Sequence, residues 1–181
     1  MNDFFSKIKK HKEQNLPFVL YKKPKSDTII ALLQQNNTLH KVIDYKEKGF
    51  VLASFDKKQI VLIPENESQI CTSELETRSV SLVDIVGLNV DVNAKKQFET
   101  LVANGVGAIV NNEFQKVVLS RSEIVPLKDF DFIETFQNLA NLYPTTLAYC
   151  FFHPEVGFWM GATPEQLLKA NGNVFETTAL A

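Results

Sequence analysis

Residues 146–160, TLAYCFFHPEVGFWM, decide the fold class of this chain. Two runs rich in aromatic and aliphatic residues, 146–153 and 157–160, flank the short segment Pro154-Glu155-Val156. Two such runs joined by a few turn residues are typical of a β-hairpin. The stretch therefore predicts a pair of antiparallel strands.

Two further hairpins are predicted on either side of this stretch. Residues 49–55 and 59–64 flank Asp56-Lys57-Lys58, and residues 167–170 and 174–178 flank Asn171-Gly172-Asn173. Amphipathic helices are predicted at 4–13, from the N-cap Asp91 through about residue 104 or beyond, and at 131–142. Other strands are predicted at 17–21, 28–33 and 114–125, and residues 65–88 are polar and irregular. The pattern predicts an α+β fold with a largely antiparallel sheet and flanking helices.

Composition excludes several classes of protein. The chain has 181 residues, enough for one domain with a real core, and a formal net charge of -2. Without a basic excess we expect no nucleic-acid partner. The absence of a long apolar run or a signal-peptide core predicts a cytoplasmic protein without a membrane span. Cys71 and Cys150 fit two reduced thiols, and the sequence leaves the oligomeric state open.

A candidate acid–base pair lies in the second half of the chain. Lys116 precedes Val117-Val118-Leu119, which is typical of a buried strand, and a desolvated lysine can act as a general base. Glu165 follows a Gly-Ala-Thr-Pro turn, where an apolar loop would favour a general acid. The plainer alternatives are a strand lysine whose head reaches solvent and a capping or surface glutamate.

Other conspicuous side chains have structural interpretations. We expect Arg121 to form an ion pair with an acidic group, and Trp159 to belong to the core with Phe151, Phe152 and Phe158. His153 precedes a proline in a turn, so we expect it to be solvated.

Three stretches, in this order, resemble the chorismate-utilising enzymes. They are 115–121 (QKVVLSR), 161–168 (GATPEQLL) and 177–181 (TTALA). The similarity is strongest to the isochorismate synthases of menaquinone and siderophore biosynthesis. It covers the chain well from about residue 91 and only loosely before it. The lysine at 116 resembles the enzymes that add water, whereas enzymes that use ammonia typically have glutamine there.

The resemblance implies a mechanism and a set of ligands. Lys116 would act as general base on a water that attacks C2 of chorismate, and Glu165 would protonate the departing C4 hydroxyl. Residues of the third stretch, Thr178, Ala179 and Ala181, would contact the substrate. Mg²⁺ would hold the ring carboxylate as a Lewis acid. No metal ligand is assigned within the chain, because the family carries its Mg²⁺-binding glutamates beyond the third stretch.

The resemblance also predicts the organisation of the chain. Residues 1–88 would form a variable, β-rich N-terminal part, and residues 89–181 the first half of an incomplete chorismate-binding fold. Since the family motif continues after residue 181, we expect a truncated chain without synthase activity of its own. The alternatives are a salicylate synthase or another chorismate-utilising enzyme and, from a different class, a non-catalytic remnant or binding domain.

Overall fold

The computed structural model describes residues 2–78, 91–127, 129–163, 166 and 168–177. The chain divides into two compact units. The first unit consists of residues 1–80 together with 130–181, and the second of residues 81–129.

The described residues form three α-helices and ten strands, which confirms the α+β class. In chain order they are α1 (Asn2–Glu13), β1 (Phe18–Lys22), β2 (Thr28–Gln34), β3 (His40–Lys41), β4 (Gly49–Ala53), β5 (Ile60–Pro64), β6 (Ser68–Glu74), α2 (Val92–Val110), α3 (Phe132–Leu142), β7 (Leu147–His153), β8 (Gly157–Thr163), β9 (Leu168–Asn171) and β10 (Val174–Thr177). A single 3₁₀ turn at Glu65–Glu67 joins β5 to β6.

A five-stranded antiparallel sheet organises the first unit, in the order β6-β2-β1-β7-β8. The predicted hairpin at 146–160 is confirmed as β7 and β8, with Phe151 opposite Trp159. Strand β1 lies at the centre, and its Val19 faces Leu32 of β2 on one side and Phe151 of β7 on the other. The sheet therefore joins strands from both ends of the sequence.

Both faces of this sheet are covered. On one face, α1 and α3 pack through Ile8 and Phe136 against Phe18 and Leu20 of β1. The opposite face places Val19 of β1 in a second apolar cluster with residues of β5. Because neighbouring residues of a strand point to opposite faces, the uninterrupted apolar run of β1 is explained by burial on both sides.

The other two predicted hairpins are also confirmed. Strands β3, β5 and β4 form a three-stranded antiparallel sheet, in that order, which contains the 49–64 hairpin. Strands β9 and β10 pair around Gly172, which adopts a left-handed φ of 58°. In the 65–88 region, however, residues 68–74 form β6 rather than irregular chain, because they pair along the full length of β2. Residues 79–88 of that prediction lie outside the described residues.

The second unit contains one long helix and an extended segment. Helix α2 begins as predicted at Asp91, whose carboxylate accepts hydrogen bonds from the backbone amides of Asn93 and Ala94. The predicted strand at 114–125 is wrong, since these residues form no strand. Among the described residues, this segment packs on one face of α2. The backbone groups of a helix are already hydrogen-bonded within the helix, so they cannot pair with a strand.

Candidate active site

The segment 115–121 packs against α2 through alternate side chains. A β-carbon placed at Gly105 of α2 would lie 3.3 Å from methyl groups of both Val117 and Leu119. Gly105 is the one buried residue of α2, so the missing side chain allows this close approach. The next residue along the segment, Val118, is 86% exposed. Only one side of the segment is therefore covered by α2.

Lys116 lies in the exposed part of this segment. Its side chain is solvent-exposed, and no hydrogen bond or ion pair joins it to a described residue. Of the two interpretations of Lys116, the structure therefore shows the plainer one, a lysine whose head reaches solvent, although the segment forms no strand. The apolar residues that follow it, Val117 and Leu119, are used for packing on α2 and do not enclose the amine.

Arg121 forms the ion pair that the sequence predicted. Its guanidinium donates to Glu123 Oε2 at 2.8 Å, and both side chains are about half exposed. Residues two positions apart lie on the same side of an extended segment, which explains the choice of partner. An exposed pair of this kind contributes at most about 1 kcal/mol.

The second motif begins at the edge strand of the large sheet. Gly161 lies opposite Tyr149 in the β7–β8 pair, and a β-carbon there would lie 3.0 Å from the Tyr149 ring. A side chain at position 161 would therefore crowd the Tyr149 ring, which glycine avoids. Thr163 ends β8, and Glu165 lies outside the described residues.

The third motif is described only at its first residue. Thr177 ends β10, whereas the predicted substrate contacts Thr178, Ala179 and Ala181 lie outside the described residues. Lys116 belongs to the second unit, and the described part of the second motif belongs to the first. The pairing of Lys116 with Glu165 therefore stays a prediction.

Two expectations for the 146–160 hairpin are corrected. His153 is fully buried rather than solvated. Its Nδ1 accepts a hydrogen bond from the backbone amide of Glu155, and its Nε2 lies 3.5 Å from Thr38 O. Burial lowers the pKa of His153, which favours the neutral imidazole. Trp159 is 54% exposed rather than in the core, although Phe151 and Phe152 are buried as expected. Trp159 lines an open apolar groove of about 380 Å³ together with Phe55 and Tyr149.

The model of a family described as chorismate binding enzyme matches residues 10–181, nearly the whole chain. The chain belongs to the chorismate binding enzymes. No curated protein and no solved structure matches it. Membership of the family makes a chorismate-like small molecule the expected substrate.

The described part of this chorismate binding enzyme contains no ready-made metal site. No three His, Cys, Asp or Glu side chains among the described residues are grouped so that they could hold a metal ion. No helix among those residues is long and apolar enough to cross a membrane.

Sequence reasoning missed the buried lysine of this chorismate binding enzyme. Lys22, at the end of β1, is only 1% exposed and donates hydrogen bonds to Pro144 O at 2.9 Å and Lys23 O at 3.4 Å. Desolvation lowers its pKa, and the nearby Asp27 opposes that effect. The signal was present, because Lys22 directly follows the apolar strand predicted at 17–21.

Proposed function

We propose that this chorismate binding enzyme is an isochorismate synthase. The observation that carries the proposal is the lysine at position 116, in the QKVVLSR stretch of a chain whose residues 10–181 match the family. The resemblance distinguishes this lysine from the glutamine of the ammonia-using enzymes. The three stretches also run in the order expected for the family.

The proposed reaction exchanges one water for another. A water oxygen bonds to C2 of chorismate, the ring double bonds shift, and the C4–O bond breaks. Lys116 accepts a proton from the attacking water, and Glu165 donates a proton to the departing hydroxyl. The composition of the substrate is unchanged, so the reaction is an isomerisation. General acid–base assistance of this kind is worth about 10²- to 10⁴-fold in rate.

The surroundings of Lys116 support its proposed role. A base must reach the proton that it accepts, and Lys116 is exposed and free of described partners. The neighbours Val117 and Leu119 anchor its backbone to α2 at Gly105. A substrate bound over the exposed face would lie within reach of the amine.

Mg²⁺ remains part of the proposal through the resemblance alone. Among the described residues, no three His, Cys, Asp or Glu side chains are grouped so that they could hold a metal ion. We therefore derive no step of the reaction through Mg²⁺.

Replacing Lys116 tests the proposal directly. In the full-length protein with Mg²⁺ present, we expect Lys116→Gln to lower kcat for isochorismate formation by about 10²-fold or more, because the base is lost. The matched control is Lys96→Gln, an exposed lysine on α2 in the same unit, which should retain wild-type turnover. Isochorismate formation at an undiminished rate by Lys116→Gln would remove the assigned role.

Product analysis separates the neighbouring activities. Chromatography of the wild-type reaction should show isochorismate as the end product. Accumulation of salicylate and pyruvate would identify a salicylate synthase, and ammonium-dependent formation of an aminated product would identify an aminating enzyme. Binding of chorismate without turnover would support a non-catalytic binding domain.

A further inference from the structure

The turn between β7 and β8 is held by the side chain of His153. The Nδ1 atom of His153 accepts a hydrogen bond from the backbone amide of Glu155 at 3.1 Å, and its carbonyl oxygen accepts one from the backbone amide of Val156 at 3.1 Å. A backbone amide can only donate, so Nδ1 carries no proton in this arrangement. The closed turn therefore requires a neutral imidazole with its proton on Nε2.

The other ring nitrogen of His153 faces the loop after β2. Nε2 lies 3.5 Å from Thr38 O, which already accepts a hydrogen bond from Gln34 Nε2 at 2.8 Å. A second proton on the ring would lie on Nδ1, where it would meet the amide proton of Glu155 instead of an acceptor. An imidazolium would therefore lose the hydrogen bond that orders the turn.

The groups around His153 act on its charge in opposite directions. Burial lowers the pKa of His153 and the nearby His40 of β3 adds to this effect, whereas the contact with Thr38 O and the carboxylate of Glu155 oppose it. His40 Nε2 itself lies 3.3 Å from Glu67 Oε2. A protonated His40 thus has a carboxylate partner, but a protonated His153 has no acceptor for its second proton.

Protonation of His153 and opening of the turn favour each other. The imidazole is fully buried, so a proton from solvent reaches it only when the turn moves away from the sheet. A buried imidazolium without an acceptor is costly, whereas water solvates the ion once the turn is open. The open turn therefore binds the second proton more strongly than the closed turn.

The turn is connected to the apolar groove that Trp159 lines. Trp159 Nε1 donates a hydrogen bond to Val156 O at 3.2 Å, and both residues belong to the lining of the groove. When the turn opens, Val156 moves away from the groove and the indole loses its acceptor. A protonation at His153 is thereby transmitted to the surface of the first unit.

We propose that the β7–β8 turn is an acid-sensitive switch, in which a second proton on His153 breaks the contact with the Glu155 amide and opens the turn. The proton comes from solvent, and no covalent bond between heavy atoms changes. The strands themselves stay paired, because their ladder continues to Leu147 opposite Thr163. The inference does not depend on the proposed isochorismate synthase activity.

The indole signal of Trp159 tests the proposal, because the chain contains one tryptophan. In ¹H–¹⁵N spectra of the full chain, we expect this signal to shift as the pH falls below about 6.5, the ordinary pKa of histidine. The equilibrium constant for opening should rise by up to about tenfold for each unit of pH, since one proton is bound. The far-UV circular dichroism should stay constant over the same range. An indole signal that does not move between about pH 7 and about pH 5, or that moves only with global unfolding, would overturn the proposal.

His153→Asn separates His153 from the other titrating groups. The asparagine side-chain oxygen can accept from the amide two residues later, as in an Asx turn, but it does not titrate. We expect the indole signal of this variant to be independent of pH. The matched control is His40→Gln, which removes the neighbouring histidine and should keep the shift. A shift that persists in His153→Asn, or that is lost in His40→Gln, contradicts the proposal.

If His153→Asn fails to fold, the imidazole ¹⁵N shifts of the wild-type chain decide. At about pH 7 they should show His153 protonated at Nε2 only. Nδ1 should then become protonated over the same pH range in which the indole signal of Trp159 moves. An imidazole that stays neutral while the indole signal moves would assign the change to another group and contradict the proposal.

Discussion

Lys22 buries an ammonium group whose described hydrogen-bond partners are both backbone carbonyls. Its Nζ donates to Pro144 O and Lys23 O, and the nearest acid, Asp27, acts only through its charge. Removing a charge from water is costly unless an opposite charge compensates it. Pro144 O also accepts a hydrogen bond from the Lys25 amide at 3.0 Å, so that carbonyl does not depend on Lys22.

We therefore expect Lys22→Met to raise the free energy of unfolding at neutral pH by between zero and about 1 kcal/mol. Methionine preserves the aliphatic volume and removes the buried charge. Lys22→Ala should lower the free energy of unfolding by about 2 kcal/mol, because it leaves a cavity. Urea denaturation measures both effects. Lys23→Met, at the exposed neighbouring position, serves as a control with little change. A loss of more than about 2 kcal/mol in Lys22→Met would show that the ammonium stabilises the fold.

The lowered pKa of Lys22 also predicts how the free energy of unfolding changes with pH. A lysine with a lowered pKa binds fewer protons in the folded state than in the unfolded state. The unfolding free energy should therefore rise with pH between the folded and unfolded pKa values, as the charge penalty disappears. Lys22→Met should lack this rise.

Single residues also show why the candidate site could be predicted only in part. A lysine next to an apolar run looks the same in sequence whether the run is buried on both faces, as β1 is, or covered on one side, as 115–121 is. The sequence therefore located the motif of Lys116 but did not identify Lys22 as the buried lysine. His153 was likewise judged by its neighbouring proline, although its partner Thr38 O lies 115 residues away.

At the scale of elements, Asp131 fixes the start of α3 and connects it to α1. One carboxylate oxygen accepts hydrogen bonds from the amides of Ile133 and Glu134, and the other accepts from Lys9 of α1 at 2.6 Å. The hydrogen bond from Lys9, followed by those from the two amides, lowers the pKa of Asp131. The same carboxylate therefore acts as helix cap and as interhelical contact.

Asp131→Ala should lower the free energy of unfolding by about 1 kcal/mol, the usual cost of a lost N-cap. Asp131→Asn keeps a capping oxygen and loses the ion pair, so its cost should be smaller, at most about 1 kcal/mol for an exposed pair. The Asp131 carboxylate contributes to the free energy of unfolding above about pH 4. This contribution is lost as the pH falls through the lowered pKa of Asp131 in the folded state. Urea denaturation at about pH 7 and about pH 3 should therefore show a smaller difference between wild type and Asp131→Asn at the lower pH. A pH-independent difference would contradict this account.

Elements defined by local chemistry were predicted well, and elements defined by distant partners were not. The three hairpins and the cap Asp91 depend on neighbouring residues, and all of them are confirmed. Strand β6 is polar and half exposed, and only its pairing with β2, 34 or more residues earlier in the chain, makes it a strand. Conversely, 114–125 has strand composition but no described strand beside it.

At the scale of the molecule, the large sheet depends on both ends of the chain. Strand β1 pairs with β7 from Phe18 opposite Phe152 to Lys22 opposite Ala148. Phe136 of α3 is fully buried in a cluster that includes Ile8 and Phe18. The division into a variable part at 1–88 and a family core at 89–181 stays a prediction. This division does not require that either part folds alone.

We expect residues 89–181, expressed alone, to show no cooperative thermal transition by circular dichroism. Without residues 1–88, β7 loses its ladder with β1, and the buried faces of β7 and α3 become exposed to water. Adding residues 1–88 in trans should restore dispersed ¹H–¹⁵N resonances in 89–181, because the β1–β7 pairing needs no covalent link. An intact chain with Val19→Asp is the matched control, since it keeps the length but places a charge in the fully buried centre of β1, and it should also fail to fold. A cooperative transition in isolated 89–181 would mean that β7, β8 and α3 form a stable core without β1.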